Sequence, residues 1–277
     1  MRRHFLAILI VLFFSSSGFS QSSQLADEHF EKANQLYNQG RIPEACGMFE
    51  KSVEAEKNSQ NPRLANLSAE LGWAGYCYKS LGQYDKALKY YEEALAIAKK
   101  LGQEDNIATY LNNIGMVYKS WGQYDKALKY YEEALAIDKR LGKEADIAID
   151  ISNIGRVYDS WGQYDRALKY YEEALAIAKK LGGKDQIATF INNIGMVYMS
   201  WGRYDKALEY FEEALAIDKR LGKEAKIAIR LNNIGLVYHS LKDYGAAVRY
   251  FTESVAIKEK MRKTAKGDIR RDYLESQ

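Results

Sequence analysis

The sequence predicts an all-α fold built from antiparallel helix pairs, and three observations predict it. Tyrosine returns at Tyr84, Tyr124, Tyr164, Tyr204 and Tyr244, an interval of forty residues without insertion, and a fixed period of that length marks a stacked architecture rather than a closed globule. Apolar residues follow helical spacing twice per period: Ile107, Leu111, Ile114 and Tyr118, then Ala127, Tyr131, Ala134 and Ile137. Only two prolines interrupt 277 residues, while 28% charged and 13% aromatic residues suit helices with one solvated and one packed face.

From the N-terminus, residues 1–20 carry Arg2 and Arg3, an apolar run from Phe5 to Phe14 and then small residues ending at Ser20. That is the layout of a secretory signal peptide, with cleavage expected after Ser20. The apolar run is about half the length that a bilayer core requires, so no transmembrane span is expected once the signal is removed. Export to a bacterial periplasm or to the medium follows as the expected location. Without Arg2 and Arg3, the 40 basic residues become 38 against 37 acidic. Lysines alternate with glutamates on the same helices, which excludes the basic stripe that nucleic acid demands.

Six helix pairs are expected: 25–64 (diverged), 65–105, 106–145, 146–185, 186–225 and 226–265, followed by a polar tail, 266–277. Within each pair Gly82, Gly122, Gly162 or Gly202 ends the first helix where a residue at positive φ is wanted, and an acid such as Asp125 opens the second helix. Lys139 and Arg140 lie near the negative end of that second helix, and Gly142 stops it. Gly115 and Ala127, with their equivalents in the other repeats, are small where paired helices approach. The first pair is more distant, with Gly40 and Ala45 at the places of Gly82 and Ala87 and Pro43 opening its second helix. The last departs again: Lys242 replaces the turn glycine and Gly245 the first-turn aspartate, as suits a terminal repeat with one face in water. "AIAKKLG" and "AIDKRLG" also alternate, an echo over eighty residues that duplication of a two-repeat unit accounts for.

Leu111, Ile114, Gly115, Tyr118, Gly122, Ala127, Tyr131 and Ala134 carry a resemblance to tetratricopeptide (TPR) repeats, in the long form found in kinesin light chain, polarity adaptors and bacterial TPR regulators. The resemblance implies a right-handed α-solenoid, the TPR superhelix, in which one face of each first helix lines a concave groove. It also implies a protein or peptide partner, with the oligomeric state open.

No constellation points to catalysis, metal or cofactor. Glu92–Glu93, Glu132–Glu133 and Glu172–Glu173 lie three and four residues beyond Lys89, Lys129 and Lys169, and with Glu212–Glu213, where Glu209 breaks that pairing, they recur once per repeat, which reads as a solvated face. His4, His29 and His239 have no ligand spacing, and the glycines form no phosphate loop. Most of the 22 tyrosines fall on four repeated structural places, exemplified by Tyr118, Tyr124, Tyr130 and Tyr131, and Trp121, Trp161 and Trp201 are expected to pack against the next repeat. Cys46 and Cys77 stand where other repeats carry apolar residues, on elements of adjacent repeats; buried thiols and a disulfide are both open readings.

Variation is concentrated on one stripe of the first helix. It reads Thr109, Asn112, Asn113, Met116 and Lys119; then Ile149, Ser152, Asn153, Arg156 and Asp159; then Thr189, Asn192, Asn193, Met196 and Met199; then Ile229, Asn232, Asn233, Leu236 and His239. Asn113, Asn153, Asn193 and Asn233 form a constant row of amides, able either to hold a peptide backbone or to bond neighbouring helices. The remainder would read side chains, with methionine supplying adaptable contact. TPRs that grip a C-terminal carboxylate use groove cations, and Asn112 and Met116 occupy those places here, so the resemblance does not extend to that mode. The expected function is an exported scaffold, not an enzyme, that binds an extended segment of another protein; the alternative is a periplasmic sensor or regulatory subunit of a membrane signalling or envelope-assembly complex.

Overall fold

The computed structural model describes residues 22–275, with side chains as far as 264. The expected signal segment lies outside the described residues, as do the side chains of the expected tail. The described residues hold twelve helices and no strand, and the chain divides into two compact units after Asp138.

In the first unit, helix α1 (22–38) is followed by α2 (Ile42–Lys57), α3 (Leu64–Ser80), α4 (Tyr84–Leu101), α5 (Glu104–Ser120) and α6 (Tyr124–Leu141), the last of which runs into the second unit. The second continues with α7 (Glu144–Ser160), α8 (Tyr164–Leu181), α9 (Lys184–Ser200), α10 (Tyr204–Arg220), α11 (Glu224–Ser240) and α12 (Tyr244–Glu275). Within each unit consecutive helices pack together, and the first helix of a repeat also touches the first helix of the next, as in α3 with α5, α7 with α9 and α9 with α11.

The turn inside each pair shows why its residues recur. Gly82 sits at φ 71°, and the Gln83 N–H donates to the Tyr78 carbonyl at 3.0 Å, closing the end of the first helix. Lys242 adopts the same conformation at φ 63°, the one non-glycine residue at positive φ among those described, and the Asp243 N–H makes the equivalent bond to Tyr238 at 2.9 Å. The Asp243 carboxylate also accepts the Ala246 N–H at 2.9 Å, capping α12 where Gly245 has replaced the usual first-turn acid.

Gly115 is small where the paired helices approach, as the sequence predicts, and a ring of the paired helix takes the space. A Cβ there would lie 3.0 Å from the Tyr131 ring, and at Gly235 it would lie 2.7 Å from Phe251, so the vacancy houses a ring rather than a neighbouring backbone. Tyr91, Tyr131, Tyr171 and Phe211 are among the largest fully buried side chains. Burial pushes the Tyr91 and Tyr171 phenols far above their ordinary range. A second row stacks across each pair: Tyr118 on Tyr130, Tyr158 on Tyr170 and Tyr198 on Tyr210, each at 5.4 Å between centroids. Lys126, Arg166 and Lys206 place a cation over the first ring of these stacks.

One detail corrects the sequence reading. Trp121 and Trp201 lean against Tyr84 and Tyr164, at 5.9 and 5.7 Å, and so pack on the preceding repeat rather than the next. Glu93 remains partly exposed, as read from the sequence, and pairs there with Lys57 of the preceding repeat at 2.5 Å. Cys46 and Cys77 form a disulfide joining α2 to α3, which settles the two open readings in favour of the bridge.

The echo over eighty residues acquires a physical meaning in the second unit. Asp218 accepts a hydrogen bond from Arg230 Nε at 3.0 Å, and both side chains are buried. Forty residues earlier the same two places hold Ala178 and Phe190, also buried. One framework therefore accepts either an ion pair or an alanine with a ring. A buried charged group also lies in the first unit, where Arg63 binds Glu56 at 2.6 Å and Asp27 at 2.9 Å. Glu70 is buried near this network, and desolvation, followed by the Glu56 charge, pushes its carboxyl up to about 7.

Candidate peptide-binding face

The stripe of varied residues lies on the first helices α5, α7, α9 and α11, with a spacing that keeps it on one side of each. In the first unit Thr109 is exposed, while Asn112, Asn113, Met116 and Lys119 are half-buried. Lys79 Nζ approaches Met116 Sδ at 2.7 Å.

In the second unit the stripe divides by chemistry. Asn233 Nδ2 donates to Asn192 Oδ1 at 2.9 Å, and the two residues are only 8% and 7% exposed. Asn193 donates to Ser152 Oγ at 3.4 Å, and Ser152 is buried. These amides therefore join neighbouring first helices, which satisfies polar groups that burial would otherwise leave costly. Asn153 and Asn232 are half-buried. Met196 and Met199 pack against the core of this unit. Outward-facing side chains remain: Ile149, Arg156, Ile229, Leu236 and His239 are exposed, and Asp159 is half-buried. The His239 ring meets Tyr244 edge to face at 5.6 Å. Lys226 crosses from α11 to Asp185 and Thr189 on α9, at 2.8 and 3.1 Å, and its hydrogen bond holds the Asp185 carboxyl below the usual range.

The stripe also extends into the first unit beyond the predicted residues. Counting back forty from Asn113 and Met116 gives Trp73 and Tyr76, which share a cleft of about 600 Å³ with Tyr37, Tyr110 and Asn113. The forty-residue register that exposed the other positions was signal enough to find these two. Among the described residues there is no group of three candidate metal ligands, and no helix is long and apolar enough to cross a membrane.

A tetratricopeptide repeat family model matches residues 28–100, 66–140, 122–180 and 186–260, so the chain belongs to the tetratricopeptide repeat family. That family is in general a protein-interaction scaffold rather than a catalytic one. Among solved structures the chain is similar to BtubC (BKLC) from P. vanneervenii, 25% identical over 88% of this chain and 92% of that one, with a TM-score of 0.60. It is also similar to a Podosopora anserina protein of kinesin-light-chain type with nearly identical TPR-like repeats, 20% identical over 73% of this chain and 98% of that one, TM-score 0.60. A Rap protein complexed with Competence and Sporulation Factor shares the fold at 17% identity over 85% of this chain and 75% of that one, TM-score 0.57. No curated protein sequence matches the chain.

Proposed function

We propose that the protein is an exported, non-catalytic scaffold that holds an extended segment of a partner protein against its first helices. One observation carries this reading. Framework residues such as Gly155, Gly195, Ala167 and Ala207 repeat unchanged, while on the same face of the first helices exposed Arg156 of α7 becomes exposed Leu236 in α11 and Asp159 becomes exposed His239, where stability does not require variation. A related fold holds Competence and Sporulation Factor in the Rap complex, which supports a peptide as guest. The Cys46–Cys77 bridge supports export, because disulfides persist in oxidising compartments and are rare in the cytosol.

The test is capture of a partner from an envelope extract by the purified chain, followed by titration of that partner. Arg156→Ala with Leu236→Ala should weaken binding by roughly tenfold or more, as loss of an exposed anchor does, and leave helicity unchanged. Undiminished affinity would remove this face from the mechanism. Export has its own test: mass spectrometry of the native chain should find Gln21 at the mature N-terminus, and an intact Met1 or Arg2 would exclude it.

A further inference from the structure

The cleft between α1, α3 and α5 differs from the rest of the stripe. Its walls are Tyr37, Trp73, Tyr76 and Tyr110, with Asn34 and Asn113 among the polar groups at its edge. Trp73 and Tyr76 remain 43% and 39% exposed despite their size. Packing does not demand them: Asn113, Asn153, Asn193 and Asn233 occupy the place of Trp73 in later repeats, and Met116, Arg156, Met196 and Leu236 that of Tyr76. Four repeats thus serve as internal controls showing that the same framework stands without rings there.

The rings are also held in place. Trp73 is backed by Phe49, stacked at 6.1 Å, and by the edge of Phe30 at 6.4 Å. Tyr110 donates its hydroxyl to the Ser68 carbonyl at 2.7 Å, and its ring lies where a Cβ on Gly72 would come within 2.9 Å. The exposed face of Trp73 is therefore presented to solvent by supports that fix it before any guest arrives, beside the buried and anchored Tyr110, which lowers the entropic cost of binding.

The chemistry of the guest follows from charge and ring angle. No formally charged residue lines the cleft, and Lys79 Nζ already lies 5.8 Å from the centre of the Tyr76 ring, which disfavours a cationic guest. Trp73 and Tyr76 stand at 81° to each other with centroids 6.0 Å apart, and Tyr37 is inclined to Tyr76 by 48°. Trp73 and Tyr76 therefore touch edge to face, and the aromatic wall they give the cleft is stepped, unlike the coplanar platform on which a sugar face stacks. A stepped aromatic wall suits proline rings, and nearby carboxamides suit the unpaired carbonyls of a polyproline II strand.

We propose that this cleft binds a proline-rich, uncharged segment of a partner protein in the polyproline II conformation. The proposal rests on the peptide-scaffold reading and names the class of segment that the first unit selects. Pro43 and Pro62 are not the guest, since they lie in the first turn of α2 and in the α2–α3 connection.

The experiment is fluorescence anisotropy of labelled decaproline with the full chain, beside a glycine–serine peptide of equal length and a chitin hexasaccharide. Saturable binding of decaproline is expected, and it should weaken by about tenfold or more in the Trp73→Asn, Tyr76→Met double variant. That variant copies Asn113 and Met116, so its circular dichroism should match the parent. Failure of decaproline to saturate, equal binding by the variant or the glycine–serine peptide, or Trp73-dependent binding of the hexasaccharide in its place would each overturn the proposal. A chain that ignores decaproline yet still captures an envelope partner through Arg156 and Leu236 would lose this inference alone.

Discussion

Replacing Asp218 by alanine removes the carboxylate that accepts the Arg230 Nε–H, and it leaves the guanidinium buried. Burial already pulls the Arg230 pKa below its ordinary value, with Asp218 opposing the shift. Loss of one partner from a buried ion pair costs about 3–5 kcal/mol, because the surviving charge is stranded in a poorly polarisable site. Adding Arg230→Phe should reverse most of that loss. The double variant recreates Ala178 and Phe190, which the framework buries forty residues earlier, and a buried ion pair replaced by apolar residues is often neutral or stabilising. Urea unfolding of the parent, both single variants and the double variant, followed by circular dichroism, isolates the coupling. The expected result is a double variant within about 1 kcal/mol of the parent, or above it. The reasoning fails if Asp218→Ala costs no more than about 0.5 kcal/mol, as a surface change would, or if Arg230→Phe gives no recovery in its presence.

Glu70→Gln should alter the pH dependence of stability. With a folded pKa of about 7 against a usual 4.5, the folded chain holds a proton that the unfolded chain has lost, so stability falls as pH rises through that interval. The cost above it is on the order of 3 kcal/mol; the glutamine variant should match the parent near pH 4 and exceed it at about pH 8 in thermal melts. Gly235→Ala, whose Cβ would meet Phe251 at 2.7 Å, should lower the melting temperature more than Gly155→Ala, where the nearest Tyr171 atom is 3.2 Å away; equal effects would mean that ring contact does not set the cost. Lys242→Gly should stabilise by about 1 kcal/mol in urea, since an L side chain pays to sit at positive φ. Changing Cys46 and Cys77 together to serine should cost about 3–4 kcal/mol from the 31-residue loop alone, measured against the oxidised parent.

The forty-residue register and the apolar spacing around Ile114 and Tyr131 determined the helix pairs, because amphipathic periodicity is a property of neighbours in the chain. Gly122 and Gly162 announced their turns for the same local reason. The face of the first helices that varies was also visible, as position against position. What each group touches was not. The sequence left the asparagine row free to serve a guest or a neighbour, and only packing brought Asn233 onto Asn192; it left Cys46 and Cys77 open, and only the approach of α3 to α2 joined them. Gly115 marked the close approach of paired helices, and only packing showed that the Tyr131 ring fills the space. Trp73 and Tyr76 became a site only when Tyr37 from α1 and Tyr110 from α5 completed the walls. Periodicity fixes which way a side chain leaves its own helix, whereas its partner comes from a helix tens of residues away, and that choice is made by three-dimensional packing.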